Sequence, residues 1–167
     1  DFTGYVDDID EDGLTLTVSD NDSITVDIAS FDVTFGAVQN WHGTETLTFT
    51  VNDNQGRAIA SDDVNIIVSP VNDAPVLADI VAQDIDEDES LIIAISASDV
   101  DDTELNLSAS SDNDAVSVSV HSDELTMTPD PDYFGTANIT VTVSDGFLTD
   151  SETFELTINP VNDAPIA

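Results

Sequence analysis

Pro70-Val71-Asn72-Asp73-Ala74-Pro75 returns unchanged as Pro160-Val161-Asn162-Asp163-Ala164-Pro165, 90 residues further on. Identity over a whole hexapeptide marks an internal repeat, and a period of this length corresponds to one small domain. Working outward, Asp8-Ile9-Asp10-Glu11-Asp12-Gly13-Leu14-Thr15-Leu16 aligns with Asp99-Val100-Asp101-Asp102-Thr103-Glu104-Leu105-Asn106-Leu107. Trp41-His42-Gly43-Thr44 aligns with Tyr133-Phe134-Gly135-Thr136, and the run Leu47 to Asp53 with the run Ile139 to Asp145. The chain therefore contains two homologous units.

Inside each unit the apolar residues have period two. Leu14, Leu16 and Val18 alternate with Thr and Ser, as do Leu47, Phe49 and Val51. Leu105 and Leu107, then Ile139, Val141 and Val143, then Phe154, Leu156 and Ile158 repeat the pattern in the second unit. Such alternation places one face of a strand in a core and the other in water. Short strands separated by turn residues, with no convincing helical stripe, predict an all-β protein of tandem antiparallel β-sandwich domains. The boundaries read as 1–70, 71–160 and 161–167, the last being the start of a further linker or repeat. In the second unit 24 residues run from Pro75 to Asp99, whereas only seven precede Asp8 in the first. The first unit is thus expected to lack about 17 residues, enough for an opening strand and its turn. An uncovered strand edge would result.

Composition narrows the function. The chain has 36 acidic residues and one basic residue, Arg57, for a formal net charge of −35. A surface of this sign repels phosphate, which excludes nucleic acid and direct contact with an anionic membrane. The 40% hydrophobic content and its ordered alternation argue against disorder. Self-repulsion calls for cations held by oxygen ligands, and adaptation to a saline medium is the blander explanation of the same charge. The absence of Cys excludes disulfides, zinc–thiolate sites and thiol catalysis. No apolar run is long enough to cross a membrane as a helix, and no signal peptide is present. A chain that begins at Asp1 reads as an internal fragment.

The two Val-Asn-Asp-Ala-Pro linkers, Asp99-Val100-Asp101, the pair Glu87-Asp88 and Ser144-Asp145-Gly146 together resemble the bacterial cadherin-like repeats of large surface adhesins and secreted proteins. The resemblance covers essentially the whole chain. It implies an Ig-like or cadherin-like sandwich, an extracellular or bacterial cell-surface location, and Ca2+ held where successive repeats meet. The implied ligands of one junction are Asn72 and Asp73 from the linker and Asp99, Asp101 and Asp145 from the second unit, with Asn40, aligned with Asp132, from the first. Two half-sites are also implied. Asp8, Asp10 and Asp53 form one, and Glu87, Asp132, Asn162 and Asp163 the other. Partners are then adjacent repeats of the same chain, with carbohydrate or another copy of the protein as the alternative. The residue types suit the ion, because calcium takes 6–8 oxygen ligands from carboxylates, amides and carbonyls. Prolines on both sides limit the freedom of each linker before metal binds.

Other readings weigh less. Asp8, Asp10, Asp12 and Gly13 imitate the start of an EF-hand loop, but the position of its closing bidentate Glu is Ser19. His42 and His121 have no counterpart histidine in the other unit, and no Gly-x-Ser-x-Gly is present, so no catalytic role is expected. Carboxylate pairs could serve a glycosidase, but recurrence once per domain suits metal better than a single cleft. Trp41 and Tyr133, ahead of an aligned Gly, are expected to cap the sandwich core rather than to stack on sugar.

Overall fold

A computed structural model describes residues 2–4, 6–8, 13–19, 21–55 and 59–164. Its contacts divide the chain into two compact units, Asp1–Val71 and Asn72–Ala167. Among the described residues every regular element is a strand.

Unit 1 contains β1 (Thr15–Ser19), β2 (Ile24–Ala29), β3 (Asp32–Ala37), β4 (Gly43–Asn52) and β5 (Ile59–Val68). One sheet has the order β1-β4-β5 and the other is the hairpin β2-β3, all antiparallel. Unit 2 adds a segment ahead of the same plan: β6 (Val76–Leu77), β7 (Gln83–Asp86), β8 (Leu91–Ala94) and β9 (Ala97–Ser98). Then come β10 (Asn106–Ser111), β11 (Val116–His121), β12 (Glu124–Pro129), β13 (Gly135–Ser144) and β14 (Thr149–Asn159). Its sheets are β10-β13-β14-β7 and β11-β12-β8, with β6-β9 as a short pair.

The repeat is visible in the pairing register. Leu16 faces Val51 as Leu107 faces Val143, and Gly43 faces Val68 as Gly135 faces Ile158. The two-residue hairpin turns also match, with Ser30 at φ 60° and Ser122 at φ 57°. Trp41 and Tyr133 pack against the core of their own unit. Gly43 (φ 146°) and Gly135 (φ 148°) lie under these rings, where a Cβ would stand 3.3 Å from the Trp41 ring and 2.8 Å from the Tyr133 hydroxyl. Both glycines are therefore fixed by backbone and by space.

One pairing departs from the all-antiparallel expectation: β7 runs parallel to β14, from Leu156↔Gln83 to Asn159↔Asp86. The chain then turns at Glu87 to Ser90 and crosses to the other sheet, where β8 pairs with β12. The cores differ in size. Unit 2 buries residues from both sheets, including Leu125 and Met127 on one side and Ile139, Val141, Val143 and Leu156 on the other, all fully covered. Unit 1 buries only Ile24, Leu47 and Phe49 among the described hydrophobic residues.

Each unit also pins its two sheets with a carboxylate. Glu45 on β4 accepts the backbone N–H groups of Asp22, Ser23 and Ile24 at 2.5, 2.9 and 2.8 Å. Desolvation is the largest single influence and pushes its pKa up, but the three N–H donors together hold it below the ordinary value. In unit 2 the direction reverses: loop residue Asp112 accepts Nδ2 and the backbone N–H of Asn138 on β13, at 2.8 and 2.7 Å. The Asn138 side chain, then its backbone, lower the Asp112 pKa. A depressed folded pKa contributes stability above the unfolded carboxylate range and loses it as pH falls through the folded value. Glu45→Gln is therefore expected to lower the urea midpoint of unit 1 at neutral pH and to have a smaller effect near pH 3, roughly below the free carboxylate range. An equal effect at both pH values would show that ionisation of Glu45 contributes nothing.

Candidate metal centre

One end of unit 2 collects the segments around Asn72, Asp99 and Asp145. β13 ends there at Ser144, opposite the start of β10 at Asn106, and β14 begins there at Thr149. Asn72 Nδ2 donates to Asp145 Oδ2 at 2.8 Å and to the Asp73 carbonyl at 2.9 Å. The Asp73 N–H donates to Asp101 Oδ2 at 2.7 Å. Asp99 Oδ1 accepts the N–H groups of Asp101 and Asp102 at 2.7 and 2.9 Å, so the Asp-x-Asp turn folds around its own first carboxylate. Asp145 Oδ1 accepts the N–H groups of Phe147 and Leu148, both at 2.6 Å. The Asn72 amide first, then the Leu148 and Phe147 amides, hold the Asp145 carboxyl below the ordinary carboxylate range. Asp145 thus stays anionic at neutral pH.

Five sequence-predicted ligands, Asn72, Asp73, Asp99, Asp101 and Asp145, are therefore linked through hydrogen bonds at one place in unit 2. Asp99 Oδ2 is the odd member. It is buried and has no hydrogen-bond partner. A buried carboxylate oxygen without a donor costs about 1–3 kcal/mol or more, and unit 2 contains no Lys or Arg to supply one. Asp99, Asp101, Asp145 and the Asn72 amide are hard oxygen donors of the kind calcium takes, and Asp99 Oδ2 is left unsatisfied. Among the described residues, however, only Asp88, Asp132 and Asp163, at the other end of the unit, bring three carboxylate oxygens within 4.8 Å of one another. For the amide to join such a set, Asn72 must turn Oδ1 towards it and release Asp145.

The opposite end holds a second group. Glu87 is 5% exposed; its backbone N–H donates to the Asn159 carbonyl at 2.9 Å, and its Oε1 accepts the Val161 N–H at 2.6 Å. It ties the departing linker to the end of β7. Asp88, Asp132 and Asp163 are exposed and each offers a carboxylate oxygen within 4.8 Å of the others. Asp88 Oδ1 also accepts the Asp132 N–H at 3.1 Å. Asn162 Nδ2 donates to the Asp163 carbonyl at 3.1 Å, the arrangement Asn72 makes with Asp73. Asp88 is a candidate for the cluster that the sequence reading did not include. Its position beside Glu87 was the available signal, and its left-handed backbone (φ 67°) is what turns it to the cluster.

In unit 1, Asp8 and Asp53 line a common cavity of about 160 Å3 together with Asp7. Asp53 Oδ1 accepts the Gln55 N–H at 3.0 Å, as Asp145 does that of Phe147. Asp10 lies outside the described residues. Asn40 is exposed and has φ 62°, against 59° for its counterpart Asp132, so the alignment of the two holds locally. His42 and His121 are both exposed.

Among solved structures, an endo-fucoidan hydrolase of glycoside hydrolase family 107 is 17% identical over 92% of this chain, with a TM-score of 0.44. This chain spans only 24% of that hydrolase. Titin domain M7 is 15% identical over 55% of this chain and 99% of its own, with a TM-score of 0.42. The N-terminal Ig1-2 module of the Drosophila receptor protein tyrosine phosphatase DLAR is 10% identical over 87% of this chain and 84% of its own, with a TM-score of 0.41. These are likenesses of fold alone. No curated protein matches the chain in sequence. The family model of the cadherin-like domain matches residues 71–159, which is unit 2 with its linker and more than half of the sequence. On that match and on its all-β sandwich, the chain belongs to the cadherin-like domain family.

Proposed function

We propose that the chain is an extender module of a long extracellular bacterial adhesin, in which calcium fixes the linker segment Asn72-Asp73 to unit 2. The supporting observation is the buried, partnerless Asp99 Oδ2 beside the linker-bound Asp101. A divalent cation there would satisfy that oxygen and offset the repulsion among Asp99, Asp101 and Asp145. Membership of the cadherin-like family supports an adhesive or spacer role, and the reading contains no catalytic step.

Holding residues 72 and 73 against unit 2 removes freedom from the segment that leads into it, and small domains joined by free linkers move by default. Solution scattering is expected to give a narrower distance distribution with millimolar calcium than with chelator. Asp101→Asn should need more calcium to reach it, because one charge is lost while the shape is kept. Identical scattering with and without calcium would rule out the extender mechanism.

A second reading, a carbohydrate-binding module, is favoured by one observation: Phe147, at the tip of the β13–β14 hairpin, is 85% exposed. An open aromatic face suits sugar stacking. Polysaccharide binding abolished by Phe147→Ala would support this reading, and its persistence would not.

A further inference from the structure

The β11–β12 hairpin turns on two residues, Ser122 and Asp123, between the paired His121 and Glu124. The Ile95 N–H donates to the Asp123 carbonyl at 2.7 Å. Unit 1 has the same device: Ser30 and Phe31 turn between the paired Ala29 and Asp32, and the Phe2 N–H donates to the Phe31 carbonyl at 2.8 Å. The backbone bond thus belongs to the fold and does not require a carboxylate at position 123.

That carboxylate stands on the rim of a cavity of about 460 Å3 in unit 2. Ile95, Leu105 and Leu107 supply its apolar wall. Ile95 is a core residue, and the two leucines are half-buried against the core. Thr103, Ser122 and Asp123 line the cavity from its exposed rim. Among the described residues, these three side chains have no hydrogen-bond or ion-pair partner. Other loop carboxylates of unit 2, those of Asp99, Asp112 and Asp145, are taken up by backbone and amide donors. Unit 2 has no Lys or Arg to pair with Asp123.

Size and lining decide what the cavity can take. Ligand sites of roughly 300–1,000 Å3 combine apolar walls with a few placed polar groups. One carboxylate and two hydroxyls on an apolar wall are too few oxygens for calcium, and they repel an anion. An apolar stem with a cationic head satisfies both the wall and the rim.

We propose that this cavity binds an aliphatic cation, a short run of methylenes ending in an ammonium or guanidinium group. The stem lies on Ile95, Leu105 and Leu107. The head donates to the Asp123 carboxylate and to the hydroxyls of Ser122 and Thr103. The two-residue turn and the Ile95 bond hold Asp123 before the ligand arrives, which reduces the freedom lost on binding. The field of a chain with net charge −35 concentrates cations around it. The chain has no Lys and a single Arg, Arg57, so the head is supplied by a free amine or by a basic side chain of another molecule.

The test titrates the isotope-labelled intact chain with three probes at physiological salt, which screens diffuse attraction. They are n-pentylammonium, its neutral analogue 1-pentanol, and a capped pentapeptide with one lysine among glycines. The methyl signals of Ile95, Leu105 and Leu107 and the amides of Ser122 and Asp123 should shift and saturate with n-pentylammonium. Binding of 1-pentanol should be weaker by about tenfold or more, because it lacks the charge-assisted bond. Asp123→Asn keeps the backbone bond, so it should melt like wild type yet bind n-pentylammonium about tenfold more weakly. Glu124→Gln removes a neighbouring charge outside the cavity lining and should leave that affinity within about twofold. Saturation by the lysine peptide as well assigns the site to a basic side chain of a partner, and saturation by n-pentylammonium alone assigns it to a free amine. Three outcomes overturn the proposal. They are equal binding of 1-pentanol, unchanged affinity in Asp123→Asn, and an equal loss in Glu124→Gln, which would describe diffuse attraction.

Discussion

Asp99→Asn is expected to abolish the calcium response of unit 2 while leaving the calcium-free protein as stable as before, or more so. The two halves of this result have one cause. In the absence of metal, Asp99 Oδ1 accepts from Asp101 and Asp102, and an amide oxygen can do the same. Oδ2 is buried and has no donor. Replacing it with an NH2 group removes a repelling charge and supplies a donor, which favours the folded apo state. With metal, the same change removes a charged ligand. Extracellular calcium modules bind with Kd on the order of 10⁻⁴–10⁻³ M. At about 100 times Kd, one site contributes about 2.7 kcal/mol. For a unit of this size that corresponds to a rise in Tm on the order of 10 °C. Thermal melts of wild type and variant, each with calcium and with chelator, check both halves. A variant that still responds fully would remove Asp99 from the site.

Leu47→Ala is expected to unfold unit 1, whereas Ile139→Ala, at the aligned position of unit 2, leaves unit 2 folded but weaker. Both residues are fully buried. Either truncation costs about 2–5 kcal/mol. The difference lies in what remains. Leu47 is one of three buried residues in the described core of unit 1, beside Ile24 and Phe49. Ile139 is embedded in a core fed by both sheets and by the β6–β9 segment. Trp41 fluorescence reads unit 1 alone, and far-ultraviolet circular dichroism reads both units. Loss of the Trp41 transition in Leu47→Ala, with the remaining transition unshifted, is the expected pattern. Equal losses at both positions would show that the two cores are comparably stable.

The legibility of the fold in the sequence follows its physics. Strands with one wet face wrote their alternation plainly, so β1, β4, β10, β13 and β14 were readable from period alone. The packing of Trp41 and Tyr133 on their cores was readable from the aligned motif, whereas the seating of Gly43 and Gly135 under the rings was shown only by the structure. The parallel course of β7 was not readable. Gln83 to Asp86 is too short to show a period, and a strand's direction is set by its partner rather than by its own residues. The hydrogen-bonded candidate residues at the linker end were legible because Asp-x-Asp and Asn-Asp are local motifs. Asp88 was not, because what brings it to Asp132 and Asp163 is a backbone conformation, and three exposed carboxylates in an acidic chain leave no mark in composition. The buried state of Glu87 was equally silent in sequence, since burial there comes from the returning linker at Val161.

The central claim is that calcium gathers Asn72, Asp73, Asp99, Asp101 and Asp145 into one centre, and a nuclear magnetic resonance titration of the isotope-labelled chain tests it most directly. With physiological salt present to screen diffuse attraction, calcium is expected to shift the Asn72 side-chain amide and the backbone amides of Asp73, Asp101 and Asp102 most strongly. The Asn72 shift marks the turn of Oδ1 to the metal and the loss of its bond to Asp145. These signals should saturate together, and Asp99→Asn should silence them as a set. Shifts that never saturate, spread over every acidic loop in proportion to its exposure and survive in Asp99→Asn, would instead describe a counterion cloud around a highly charged protein and contradict the existence of the site.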